Sequence, residues 1–244
     1  MSAAENDFPL LWPPGPQQPA LSGGELHIWA ATLDVLPAAN LVSDEERKRA
    51  ARFHRGNDRV RYLAQHGLLR RLLGQYLDCD PLDISFQAGA AGKPQLNLST
   101  APLHFNISRS NGLGLFAFTF AGPVGVDVEV IRPIPDLDLI IQRYFNAAER
   151  SALSGRSKDQ RSMAFFELWT IKEAVVKATG IGLSGLAAVE VDLDDPTRPR
   201  PRCHPQVGGS ESQFSAQLTP AKNATGHVMV SGQILEMRCW RRDA

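Results

Sequence analysis

Cysteine is scarce in this chain: Cys79, Cys203 and Cys239 are the only three. They lie far apart and are odd in number, so they form neither a disulfide framework nor a zinc-ligand spacing, and a reducing, cytoplasmic setting is expected. An excess of one charge is also missing, because 26 Lys+Arg balance 26 Asp+Glu for a formal net charge of zero. That balance argues against a nucleic-acid binder relying on a broad positive field. No apolar run approaches membrane-spanning length, and no basic segment with an apolar core opens the chain, so neither a membrane span nor a secretory leader is expected. What remains is ordinary for a soluble globular protein: 43% hydrophobic and 21% charged residues in 244, enough to bury a sizeable core as one large domain or two small ones.

Residues 1–24 are rich in proline and glycine, aperiodic, and read as a loose tail. A strand is expected over 25–33. A helix over 43–53 opens on Ser43 with Glu46 three residues on, a capping-box signature. A longer helix follows over 57–77, and then short strands in LDISFQ, KPQLNL, LHFNIS and GLGLFAFTF. From GVDVEV onward the order repeats: a strand, helices near 137–153 and 159–180, then strands in AAVEVDL, QFSAQLT, HVMVSGQI and LEMRCW. The expected fold is therefore α+β, with two similar halves over 25–121 and 122–244.

Strand alternation in GVDVEV puts Val126, Val128 and Val130 on one face and Asp127 with Glu129 on the other. Two carboxylates about 7 Å apart on one strand face fit either a solvated face or a divalent cation. In ELWTIKEAVVKATGIG, Trp169, Glu173 and Lys177 share one helix face, with Lys172 about 100° away. A Glu–Lys pair at this spacing is often a surface pair. Phe165, Phe166, Leu168, Val175 and Val176 leave little of this helix for water, which favours a functional pair. From Asp44 to Arg71 nine Lys/Arg face four acids, a local excess of five in a neutral protein. GKP at 92–94 and SRS at 108–110 follow at turns. Cations for phosphates and carboxylates for a metal suggest a nucleotide-like ligand.

GKP, FNISRS, GVDVE and W-T-x-K-E-A-x-x-K-A-x-G-x-G, in this order and spacing, resemble the Sfp-type 4′-phosphopantetheinyl transferases. The resemblance implies a pseudo-twofold pair of α+β halves with the active site at their junction. It also implies transfer of the phosphopantetheine arm of coenzyme A to a serine of an apo acyl, peptidyl or aryl carrier protein, releasing 3′,5′-ADP with Mg²⁺ present. It assigns Asp127, Glu129 and Glu173 to the metal, and Glu173 and Lys177 to catalysis. Arg55 or Arg61, Lys93, Ser108, Arg109, Asp127 and Lys177 fall to the coenzyme. Arg109 departs from the family, which commonly has histidine there. A monomer is expected, because two halves in one chain can form the site. Two other readings stay open at this point: a different metal-dependent phosphoryl or nucleotidyl transferase, and a non-catalytic carrier-binding relative.

Overall fold

The computed structural model describes residues 9–35, 39–89, 94–97, 103–195, 198–202 and 213–242. Lys93 and Cys203 lie outside them. Strand β1 (Glu25–Thr32) is followed by α1 (Asp44–Ala50) and α2 (Gly56–Leu77), then β2 (Phe86–Ala88), β3 (Pro94–Leu96), β4 (His104–Ser110) and β5 (Leu113–Thr119). The second run is β6 (Val124–Val130), α3 (Leu137–Tyr144), α4 (Ala147–Leu153), α5 (Lys158–Thr179), β7 (Glu190–Asp192), β8 (Arg200–Arg202), β9 (Phe214–Leu218), β10 (Ala224–Val230) and β11 (Glu236–Arg241).

The capping box read at Ser43 is present: Ser43 Oγ accepts from the Glu46 amide while the Glu46 carboxylate accepts from the Ser43 amide. The segment 137–153, expected as one helix, is two. Asn146 is extended and caps α4 in a second box with Glu149, so the chain must break after Tyr144.

Of the two larger sheets one runs β11-β1-β5-β4 and the other β6-β10-β9, while β2-β3 and β7-β8 form two-stranded ribbons. Within the larger sheets β1-β5-β4 and β6-β10-β9 have the same order and are antiparallel throughout, which is the expected repeat of architecture. The valines of β6 meet Leu26, Ile28, Leu113 and Leu115 in one cluster between the sheets. The outer face of the first sheet, with Trp29, Phe116 and Phe118, packs on Leu68, Leu69 and Leu72 of α2. On the outer face of the second, Met229 meets Ala174, Val175 and Ala178 of α5. The order is helix, sheet, sheet, helix.

Two features depart from the expected organisation. Strand β11 leaves the second half and pairs parallel with β1. Residues 9–24, read as a loose tail, are tied down in part: the Leu11 amide donates to Pro220 O at 2.9 Å and the Gly15 amide to Arg241 O at 3.1 Å. Proline and glycine there shape a fitted strap rather than a free linker, since a Cβ on Gly15 would strike the Trp29 ring. Among the described residues no helix is long and apolar enough to cross a membrane.

Candidate active site

The two sheets meet along β4 and β6 through side chains. Alternation turns Asn106, Ser108 and Ser110 of β4 toward β6. Asn106 Oδ1 accepts from the Val126 amide at 2.9 Å, and Ser110 Oγ accepts from the Val130 amide at 3.1 Å. Polar side chains thus satisfy a buried strand edge that would otherwise lose free energy. Along the same seam Ser108 donates to Asp127 Oδ1 at 2.7 Å and Ser110 to Glu129 Oε2 at 2.6 Å. The motif FNISRS is therefore what the acidic strand is built against.

Helix α5 lies on β6 at backbone distance. A Cβ on Gly125 would sit 2.1 Å from Ala174 O, so only glycine permits the approach. Gly180, at φ 72°, ends the helix in the left-handed region. This packing delivers Lys177 to the acid strand: Nζ donates to Asp127 Oδ1 at 2.6 Å, Ser108 Oγ at 3.0 Å and Val126 O at 3.3 Å. Glu173, one turn earlier, is buried. Its carboxyl is pushed up to about 7, first by burial and then by the charge of Asp127, with Lys177 opposing.

A cavity of about 500 Å³ opens at this end of α5. Glu173, Lys177, Gly180 and Leu183 form one wall, and Arg49, Phe53, Tyr62, His66 and Arg109 another. Arg109 donates to Gln65 Oε1 at 3.0 Å and lies over the Phe53 and Tyr62 rings. Of the residues expected at the site, the structure thus groups Ser108, Arg109, Asp127, Glu173 and Lys177. It does not bring Arg55 or Arg61 to the cavity wall. Arg55 is exposed at the start of α2, and Arg61 is paired with Asp34 at 2.5 Å. Arg49 and His66, which the sequence reading did not assign to the site, line that wall instead. The spacing Tyr62–His66, i to i+4, was the available sign of a shared face.

Asp127 Oδ2 is buried without a hydrogen-bond partner, and Glu173 is held near-neutral by burial among like charges. Both features suit a hard cation. Glu129 is bonded to Ser110 and to Arg132 at 2.8 Å. No group of three His, Cys, Asp or Glu able to hold an ion is assembled among the described residues. The donor set fits an ion that takes two carboxylates and fills its other positions with water and ligand oxygens.

A family model described as the 4′-phosphopantetheinyl transferase superfamily matches residues 123–229, and one described as 4′-phosphopantetheinyl transferase, N-terminal, matches residues 28–118. The chain is 33% identical over 236 residues to the 4′-phosphopantetheinyl transferase HetI of Nostoc sp. (strain PCC 7120), covering 94% of this chain and 97% of that one. It is 36% identical over 162 residues to the putative 4′-phosphopantetheinyl transferase slr0495 of Synechocystis sp. (strain PCC 6803), covering 65% and 66%. To the 4′-phosphopantetheinyl transferase Sfp of Bacillus subtilis it is 36% identical over 146 residues, covering 59% and 63%.

Proposed function

The chain belongs to the 4′-phosphopantetheinyl transferase superfamily, and from that premise we propose how its own residues serve the family's reaction. It transfers the phosphopantetheine moiety of coenzyme A to a serine of an apo carrier protein and releases 3′,5′-ADP. The observation that carries the reading is the seam: Lys177, Asp127 and Ser108 bonded together beside a cavity whose far wall is cationic. Arg49 and Arg109 suit the phosphates of the nucleotide end. Both cavity walls come from one chain, which supports action as a monomer, and the sparse cysteines support a cytoplasmic setting.

The serine hydroxyl oxygen attacks the phosphorus bearing the pantetheine arm. The bond from that phosphorus to the oxygen bridging to the nucleotide breaks, and the electron pair leaves on 3′,5′-ADP. Glu173 takes the serine proton as general base. Lys177 balances the charge that grows on the transferring phosphate and its leaving oxygen. Asp127 orients Lys177, and Ser108 holds both. Asp127 and Glu173 are the residues that would hold Mg²⁺, which would supply charge neutralisation at the pyrophosphate.

Incubation with coenzyme A, Mg²⁺ and several apo carriers, followed by mass spectrometry, tests the reading directly. A phosphopantetheine adduct on a carrier serine is expected, with 3′,5′-ADP released only when carrier is present. Lys177→Met should lower kcat by on the order of 10²–10³ with little change in the KM for coenzyme A. An unchanged kcat with a raised KM would make Lys177 a phosphate anchor and overturn its assigned role.

A further inference from the structure

His66 has no part in the chemistry described above, yet two restraints fix its ring on the cavity wall. It packs on Tyr62 with centroids 4.1 Å apart and planes 30° apart, and Nδ1 meets Glu46 Oε1 at 3.2 Å. Burial alone would raise the carboxyl of Glu46. Hydrogen bonds from His66, Arg70 and the Ser43 backbone outweigh burial and hold it at about 2. Glu46 is therefore ionised at any working pH and can only accept, so Nδ1 must carry a hydrogen. That settles the tautomer and leaves Nε2 as the ring's other polar atom. No hydrogen bond to Nε2 is made among the described residues.

The charged and titratable surroundings come from every element around the ring. Glu46 and Arg49 stand on α1, and Tyr62 on α2, with Arg70 of α2 reaching Glu46 at 2.8 Å. Arg109 projects from β4, and Glu173 and Lys177 face it across the cavity from α5. With Arg49 and Arg109 on the same wall, the ligand group that fits here is an anionic oxygen. A neutral Nε2 is an acceptor and would repel that oxygen, whereas a protonated one donates to it.

Taking the cavity as the coenzyme A site, as argued above, we propose that His66 is a phosphate-contacting residue that takes up a proton as the nucleotide binds, with Glu46 as its positioning residue. The proton comes from solvent, imidazole becomes imidazolium, and the buffer loses one hydrogen ion for each site filled.

Titration calorimetry of the full chain with coenzyme A, without carrier, tests this at slightly alkaline pH in two buffers of different ionisation enthalpy. The natural protein should take up as much as one proton more per coenzyme A bound than His66→Gln. The variant should bind about tenfold more weakly, as expected for loss of a charge-assisted hydrogen bond. His66 is partly exposed on α2, and an unchanged melting temperature in the variant would show that folding is not the cause. Equal proton uptake and equal affinity in the two proteins would overturn the inference while leaving the coenzyme A reading intact. No binding by the natural protein would overturn that reading and this inference with it.

Discussion

Each half of the molecule fastens its long helix in the same way, and the two fastenings differ in one respect. In the first half Glu46, third residue of a capped helix, receives Arg70 from α2 at 2.8 Å, and Arg70 also donates to Pro81 O and Ile84 O. In the second, Glu149 occupies the same place in α4 and receives Lys172 from α5 at 3.0 Å, and Lys172 also donates to Val189 O. Glu149 and Lys172 are wholly inaccessible, with 0% side-chain exposure each, and the remaining carboxylate oxygen accepts from the Val191 amide. Glu46 keeps 10% exposure and spends an oxygen on His66, which faces the cavity. A sealed pair can only hold structure together, whereas a pair left slightly open can also present a side chain to a ligand.

The sealed pair should be the costlier to break. Lys172→Met strands an ionised carboxylate in the interior, and about 3–5 kcal/mol of stability should be lost, read as a lower urea midpoint at unchanged slope. Adding Glu149→Gln, which removes the stranded charge and keeps an acceptor for one of the Val191 and Asn146 amides, should restore part of it. In the first half Arg70→Met should cost less, about 1.5–3 kcal/mol, because His66 and the Ser43 amide still serve Glu46. Equal losses in the two variants would erase the distinction between sealed and open.

Acid sharpens the contrast from the first-half side. Glu46 lies at about 2 in the folded protein against an ordinary 4.5. A carboxyl lowered by folding contributes stability that is complete above the unfolded value and is lost as pH falls through the folded one. The stability gap between the natural protein and Glu46→Gln should therefore be steady above about pH 5 and close between 4.5 and 2. A gap that stays constant down to pH 2, by urea titration, would refute the assignment. The smallest effects should come from the caps. Ser43→Ala and Asn146→Ala should each cost about 1 kcal/mol, nearly the same in both halves, since each cap makes the same reciprocal bonds.

The acid strand and the Glu173–Lys177 face were legible because strand and helix periods alone decide which side chains are neighbours. The first capping box was legible for the same local reason. The second was not, because 137–153 has an apolar pattern that survives a break, and only Asn146 marks it. The choice among arginines failed on physical grounds. A count of cations on α1 and α2 does not fix the rotation of the helices, and Arg61 is claimed by Asp34, 27 residues earlier in the chain. That Glu46 and Glu149 are buried anions, rather than solvated first-turn acids, depends on partners 24 and 23 residues away, Arg70 and Lys172. Such pairings arise from tertiary packing and leave no mark on local composition.

The crossed ends of the chain decide how the cavity is entered. The strap at Leu10 and Leu11 is bonded to Ala221 and Pro220 of the second half, while β11, reached from that half, is laid in parallel beside β1 of the first. Each half thus grips an arm of the other, as in a handshake. Swinging the halves apart like a clamshell would have to break both grips, one an isolated bridge and the other a parallel ladder. Widening the mouth between α2 and α5 by a hinge motion would therefore cost backbone hydrogen bonds. Rotation of the side chains that line it, among them Leu183, which is 65% exposed, would cost none.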